Sequence, residues 1–286
     1  MKPLFMWAGG KTKLVKHYKP LFPKQFTTYV EPFFGGGAVL LEALKINPAA
    51  KVVINDINKG IINIYQAIQT CPAEFLLLMD KLSESYLPLS KEDRKKFYYD
   101  LRQRHAFDYE TMTKVEEASV LYFLMKTGFN GIWQVNKNTN DRFGTPCGLL
   151  NQTTSVYDSE NVKAWNEVLK NATITSGEFT DHLVADKNTW IFMDPPYRGG
   201  HTTYGTVFED KHQKLVLDVA RMLTKDFGSE VWVSNRDLDD GFFDNQPGFE
   251  LHKFDVTYTA GRRKKTEAGF EAKKAKEVLL ISTVRS

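Results

Sequence analysis

The 286-residue chain is 42% hydrophobic and 26% charged, with a formal net charge of +3. This balance argues against a disordered chain and fits one large domain, or a core domain with an insertion. The charge is too small to define a nucleic-acid binder, yet Tyr258 to Ser286 holds eight Lys/Arg against three acids, a local basic excess that permits one.

Along the chain, Gly10-Lys11-Thr12 comes first and matches the end of a phosphate-binding P-loop. The loop also needs a glycine where Phe5 stands and a buried strand before it, so a nucleotide triphosphatase is not expected. Strand and helix signals then alternate. Thr27 to Phe34 reads as a strand, Ala38 to Ile46 as a helix, Lys51 to Asp56 as a short buried strand and Gly60 to Gln69 as a helix. This β-α-β-α order predicts a parallel sheet. From Pro72 to Lys126 the chain reads as charged helical stretches, followed by an irregular Gly/Asn/Thr-rich segment, Thr127 to Gly148, of a length that usually carries function. A helix is predicted over Ser159 to Leu169, strands over Ala172 to Gly177, Thr189 to Tyr197 and Glu230 to Asn235, and a helix over Lys211 to Leu223. A basic loop before a last strand, Glu277 to Ser282, completes an α/β core interrupted by a mainly helical insertion.

Cys71 and Cys147 form no paired motif and the six histidines make no ligand spacing, so neither a metal nor a disulfide scaffold is expected. The N-terminus lacks a signal-peptide pattern and no apolar run reaches bilayer length, which predicts a cytoplasmic protein without a membrane partner.

Two constellations carry chemistry. Glu31-Pro32-Phe33-Phe34-Gly35-Gly36-Gly37 runs from a strand into a helix, and Asp56 follows at the end of the next strand. Glycines there let a ligand approach the backbone, and an acid about 20 residues on can accept from ribose hydroxyls, a pattern that suits a nucleoside-type cofactor. The alternative is a turn tightened for helix–sheet packing. Asp194-Pro195-Pro196-Tyr197 follows the apolar strand Thr189 to Met193. The prolines stop the strand, because neither offers an N–H and each restrains the residue before it. The Asp194 carboxylate and the Pro195 carbonyl are two acceptors that can hold both hydrogens of an exocyclic amine, turn its lone pair out of conjugation and aim it at an electrophilic methyl. The Tyr197 ring can stack a base taken out of its duplex. The competing reading is a Pro-terminated strand with an Asp cap.

Together with Trp7 to Lys11, Asn55 to Asn58, Gly128 to Gly131 and Val233 to Asn235, these motifs resemble, in content and in order, the DNA adenine-N6 methyltransferases of the Dam type. The resemblance implies a Rossmann-like methyltransferase fold, with a mixed, mostly parallel sheet and helices on both faces. It implies a catalytic domain of residues 1–70 and 160–286 and a helical target-recognition domain of residues 71–159. The implied cofactor is S-adenosylmethionine, bordered by Trp7, Ala8, Gly9, Gly10 and Lys11, by Glu31, Pro32, Phe33, Phe34, Gly35 and Gly37, by Asp56 at the ribose, by Phe179 at the adenine, and by Asp194. The implied catalytic residues are Asp194, Pro195, Pro196 and Tyr197, acting by direct in-line methyl transfer to N6 of a flipped adenine in double-stranded DNA. Asn130, Ile132, Gln134, Arg142 and Pro146 match the region that approaches bases, and Arg262, Arg263, Lys264 and Lys265 are candidates for phosphate contacts. Ordinary turn chemistry and a solvated loop are the alternatives for these two groups. Family members that read GATC typically carry Arg where this chain has Gln134, so the expected target is GATC or a relaxed variant. Cytosine-N4 methylation and a catalytically silent DNA-binding protein on the same fold are the rivals. Oligomeric state and biological setting have no signal in the sequence.

Overall fold

In the computed structural model the described residues are 1–7, 9–148, 154–199, 208–258, 264–266, 269–271 and 273–283. A 3-10 turn at Lys11–Lys13 leads into α1 (Val15–Tyr18), β1 (Thr28–Glu31), α2 (Ala38–Ile46), β2 (Lys51–Asn55) and α3 (Lys59–Thr70). Next come α4 (Pro72–Tyr86), α5 (Lys91–Phe107), α6 (Lys114–Thr127) and the two-residue strands β3 (Val135–Asn136) and β4 (Arg142–Phe143). The chain then forms α7 (Ser159–Leu169), β5 (Thr173–Thr175), β6 (Thr189–Met193), α8 (Asp210–Phe227), β7 (Glu230–Asp237), β8 (Phe249–Tyr258), β9 (Lys264–Thr266), β10 (Gly269–Glu271) and β11 (Lys273–Ser282).

Seven strands form one sheet in the order β5-β2-β1-β6-β7-β11-β8. The first five run parallel, and β11 lies antiparallel between β7 and β8. The chain works outward from β1 to β5, then returns to place β6 beside β1. The reversal opens a crevice at the carboxyl ends of β1 and β6, where open α/β sheets bind ligands.

Alternation along the strands explains the two faces. Tyr29, Trp190, Phe192, Trp232 and Leu279 enter one core with α2, α3 and α7. Their neighbours Val30, Ile191, Met193, Val231, Val233 and Leu280 enter a second core with Val216, Leu217, Ala220 and Leu223 of α8. Helices therefore cover both faces, as a parallel sheet requires. Trp190 anchors the first core, with its ring 5.0–5.3 Å from Phe22, Phe26, Tyr29 and Trp232. The helical segment joins that core through α6, which is buried on nearly every side and so behaves as an internal pin rather than a surface helix.

Local chemistry sets the turns that matter. Pro32 ends β1 earlier than the Phe34 expected from sequence. Gly37 precedes α2 at φ 69°, and a Cβ there would lie 2.6 Å from Phe34 and 2.8 Å from Trp165, so no other residue fits without rearrangement. Asn58 caps α3 by accepting from the backbone N–H groups of Gly60 and Ile61. Two further expectations are corrected. The predicted basic loop contains the β9–β10 pair, and β11 begins at Lys273 rather than Glu277, because its first residues pair with β8, a strand without a clear sequence signal.

Candidate active site

Asp194 is the first residue beyond β6, and Lys11 reaches it from the N-terminal turn. Lys11 is 2% exposed. Its Nζ lies 2.5 and 2.6 Å from the two Asp194 carboxylate oxygens, 2.9 Å from the Tyr197 hydroxyl and 2.9 Å from the Gly9 carbonyl. The ammonium also stands 4.7 Å from the Tyr197 ring centroid. Ser234 of β7 donates to Asp194 Oδ1 at 2.8 Å. Burial holds the Asp194 carboxyl above the ordinary aspartate range, against the pull of the Lys11 charge and the hydrogen bonds from Lys11 and Ser234.

The Asp194–Tyr197 loop is fastened from below. Gln213 of α8 donates to the Pro196 carbonyl at 2.7 Å and accepts from Asn235 at 3.0 Å, while Asn235 Oδ1 accepts from the Arg198 backbone N–H at 3.1 Å. The Arg198 guanidinium forks onto Asp210, pairs with Asp240 and lies over the Phe242 ring. All three buried polar groups in this network are thereby satisfied.

Across the crevice, the glycine turn is held on two sides. Gly35 donates its N–H to Asp56 Oδ2 at 2.9 Å, and its carbonyl accepts from Tyr65 at 3.0 Å. Trp7 lies so close over Gly35 that a Cβ would come within 2.6 Å of the indole. Asp56 Oδ1 accepts from the Asn58 N–H at 2.9 Å, and burial raises its carboxyl to about 6 despite these two bonds. Glu31, at the end of β1, accepts from Tyr29 at 2.7 Å, and burial lifts it well above its ordinary range. Phe33 stacks on Phe179 at 5.1 Å. Phe34 sits inside the core against Tyr65 and Trp165 rather than lining the crevice. The Pro32 carbonyl accepts from Asn55. Gly10 closes the N-terminal turn on the Trp7 carbonyl at 3.0 Å, and Ala8 lies outside the described residues.

In the irregular segment, Phe129, Asn130, Ile132 and Gln134 are exposed, with Asn130 at φ 54°. Trp133 between them is buried against Trp7 at 5.9 Å and Phe143 at 5.4 Å, which ties this segment to the N-terminal turn. The Pro146 carbonyl accepts from the Phe129 N–H at 2.8 Å. Arg142 is paired with Glu117 and lies 3.6 Å over the Tyr109 ring, so the structure engages it within the protein. Lys264 and Lys265 fall in β9, and Arg262 and Arg263 lie outside the described residues.

Sequence reasoning missed Trp133, Ser234, Gln213, Asn235, Arg198 and Glu277. Ser234 and Asn235 were visible in the Val233-Ser-Asn motif without an assigned task. Gln213 and Glu277 left the faint signal of a polar residue at an apolar position, in α8 and before Val278-Leu-Leu-Ile respectively.

A mixed seven-stranded sheet with the Asp194–Tyr197 loop and a glycine turn facing each other at its reversal point defines an α/β methyltransferase. The chain belongs to the D12 class N6 adenine-specific DNA methyltransferases, whose family model matches residues 7–260. It is 31% identical over 266 residues, covering 88% of this chain and 90% of the relative, to the type II methyltransferase M.MjaIII of Methanocaldococcus jannaschii. It is 29% identical over 264 residues to the type II methyltransferase M.CviBI of Paramecium bursaria Chlorella virus NC1A, covering 88% of this chain and 93% of the relative. It is 26% identical over 247 residues to the DNA adenine methylase of Haemophilus influenzae, covering 82% and 80%. Its reaction is methyl transfer to N6 of adenine in DNA.

Proposed function

We propose that the methyl donor is S-adenosylmethionine, that the acceptor is an adenine turned out of duplex DNA, and that the target is GATC or a relaxed variant of it. The observation that carries this reading is the place of Lys11 Nζ. A nitrogen bearing hydrogens already sits on the Asp194 carboxylate beside the Tyr197 ring, which marks the geometry an incoming amine needs.

The charge of the crevice fits the donor. Glu31, Asp56 and Asp194 are all lifted by burial, and Lys11 is paired with Asp194, so a further positive group in the crevice would offset the penalty of ionising the acids. S-adenosylmethionine supplies that charge together with a sulfonium methyl that needs no further activation. Asp56 would hold the ribose, the Glu31-to-Gly37 turn would border the methionine portion, Phe179 with Phe33 would face the adenine, and Trp7 with the Gly9-to-Lys11 turn would close the edge. Phe34 and Gly37 would act from beneath by shaping the turn.

Asp194 and the Pro195 carbonyl would accept the two N6 hydrogens and turn the nitrogen lone pair toward the methyl. Pro196 directs its own carbonyl down to Gln213, and Tyr197 would stack the flipped base. As the amine takes up Asp194, Lys11 keeps the Gly9 carbonyl and the Tyr197 hydroxyl as partners. Rate enhancement then comes mainly from orientation and water exclusion.

Residues 71–159 would form the target-recognition domain, with Asn130, Ile132 and Gln134 at the bases and Pro146 supporting them. Gln134 suits the paired donor and acceptor of adenine, whereas an arginine there would suit guanine. Arg142, paired with Glu117, would brace the β3–β4 pair rather than reach a base. Arg262, Arg263, Lys264 and Lys265 would hold backbone phosphates. Asp194→Ala is expected to lower methyl transfer by roughly a hundredfold or more, the scale of losing one transition-state contact, with the fold and much DNA affinity retained. Near-wild-type turnover in a radiolabelled-methyl assay would refute the assignment.

A further inference from the structure

Glu277 is fully buried in the middle of β11, next to the equally buried Val278, Leu279 and Leu280. It faces Arg236 of β7 in one ladder and Phe254 of β8 in the other. A carboxylate in such a place carries a heavy desolvation penalty unless it is well bonded, and a leucine would continue the apolar pattern of the strand. The Tyr197 hydroxyl donates to Glu277 Oε2 at 3.0 Å. The same hydroxyl accepts from Lys11 Nζ at 2.9 Å, and Lys11 donates in turn to Asp194 Oδ2 at 2.6 Å. One chain of hydrogen bonds therefore runs from β11 to the end of β6, through the ring and the ammonium that stand at the acceptor position.

We propose that Glu277 is a positioning residue of the methyl-transfer site: by holding the Tyr197 hydroxyl it fixes the plane of the base-stacking ring and the place of Lys11 beside Asp194. The inference rests on the reading of Tyr197 as the platform for the flipped adenine. A phenol with its donor and acceptor roles both filled has little freedom to tilt. Without Glu277 the ring keeps its place in the chain but loses that restraint, and misplacement of a reacting group by about 1 Å can cost on the order of a hundredfold in rate.

The test is a double-mutant cycle in the full-length protein, scored by methylation of duplex DNA, together with the Tyr197 ring signal in protein labelled with 13Cζ-tyrosine. Glu277→Ala is expected to lower kcat about tenfold to a hundredfold while the KM for DNA changes less than about threefold. In a Tyr197→Phe background, where the hydroxyl is absent, the same change should cost at least about threefold less. Glu277→Gln, whose amide oxygen accepts the same hydrogen, should recover most of kcat and shift the Tyr197 resonance. Equal losses from Glu277→Ala in both backgrounds would mean general damage and overturn the proposal, as would a Tyr197 resonance unmoved by Glu277→Gln. If Glu277→Ala does not fold, Glu277→Leu, which removes the acceptor and continues the apolar pattern of the strand, and its combination with Tyr197→Phe give the same comparison. The resonance is read without turnover, so absence of methylation by the unmodified protein would sink the functional reading and leave the hydrogen bond tested separately.

Discussion

Asp56 and Asp194 are carboxylates whose burial opposes their own ionisation, and each is offset differently. Asp194 has Lys11 within 2.5 Å, whereas Asp56 relies on two backbone N–H groups and still rises to about 6. The folded-state value of Asp56 lies above its unfolded value near 3.8. Its contribution to folding is therefore present below about pH 4 and is lost as pH climbs through about 6, to the order of 3 kcal/mol. A buried acid held at that cost suits a binding role. If the ionised carboxylate receives the ribose, S-adenosylmethionine affinity measured by calorimetry should fall as pH drops from about 7 to 5, approaching tenfold per unit below the Asp56 value. An affinity independent of pH over that range would contradict the assignment.

At the scale of elements, α5 carries the opposite linkage. His105 on this helix is 2% exposed, neither ring nitrogen has a partner among the described residues, and burial, aided by the nearby Arg142 charge, lowers it to about 3. It stays neutral in the folded state, so its contribution is present above the unfolded value near 6.5 and is lost as pH falls toward 3. That loss, roughly 5 kcal/mol at its limit, exceeds the opposing gain from Asp56. His105→Leu should move acid unfolding, followed by circular dichroism, to lower pH; an unchanged midpoint would place the acid-sensitive step elsewhere. The elements also show what local sequence can and cannot convey. The strands β1, β2, β6 and β7 were legible because centrally placed parallel strands read as short apolar runs bounded by turns. Phe249 to Tyr258 mixes charged and apolar residues and becomes β8 through its pairing with β11, a partner supplied by tertiary structure. The same holds for the site. Gly35, Asp56, Asp194 and Tyr197 stand at strand ends where turn chemistry exposes them to reading, whereas Trp133, Gln213 and Glu277 acquire their tasks from residues as distant in the chain as Trp7, Pro196 and Tyr197.

For the molecule as a whole, the crevice sits where β1 and β6 meet, and the segment carrying Asn130, Ile132 and Gln134 is tied to its rim through Trp133 and Trp7. In the proposed reading, that surface would handle the duplex while the crevice receives the flipped base. Arg262, Arg263, Lys264 and Lys265 would add backbone charge contacts of no sequence preference. Replacing all four with alanine should weaken binding to every duplex alike and reduce the slope of log affinity against log salt by up to about 3–4; an unchanged slope would remove them from the interface. The most direct test of the whole account is to treat unmethylated genomic DNA with the protein and S-adenosylmethionine, then map modified bases by single-molecule sequencing. The account predicts N6-methyladenine confined to one short motif, GATC or a relaxed form of it. N4-methylcytosine, or unmodified DNA from a protein that binds the cofactor, would contradict it.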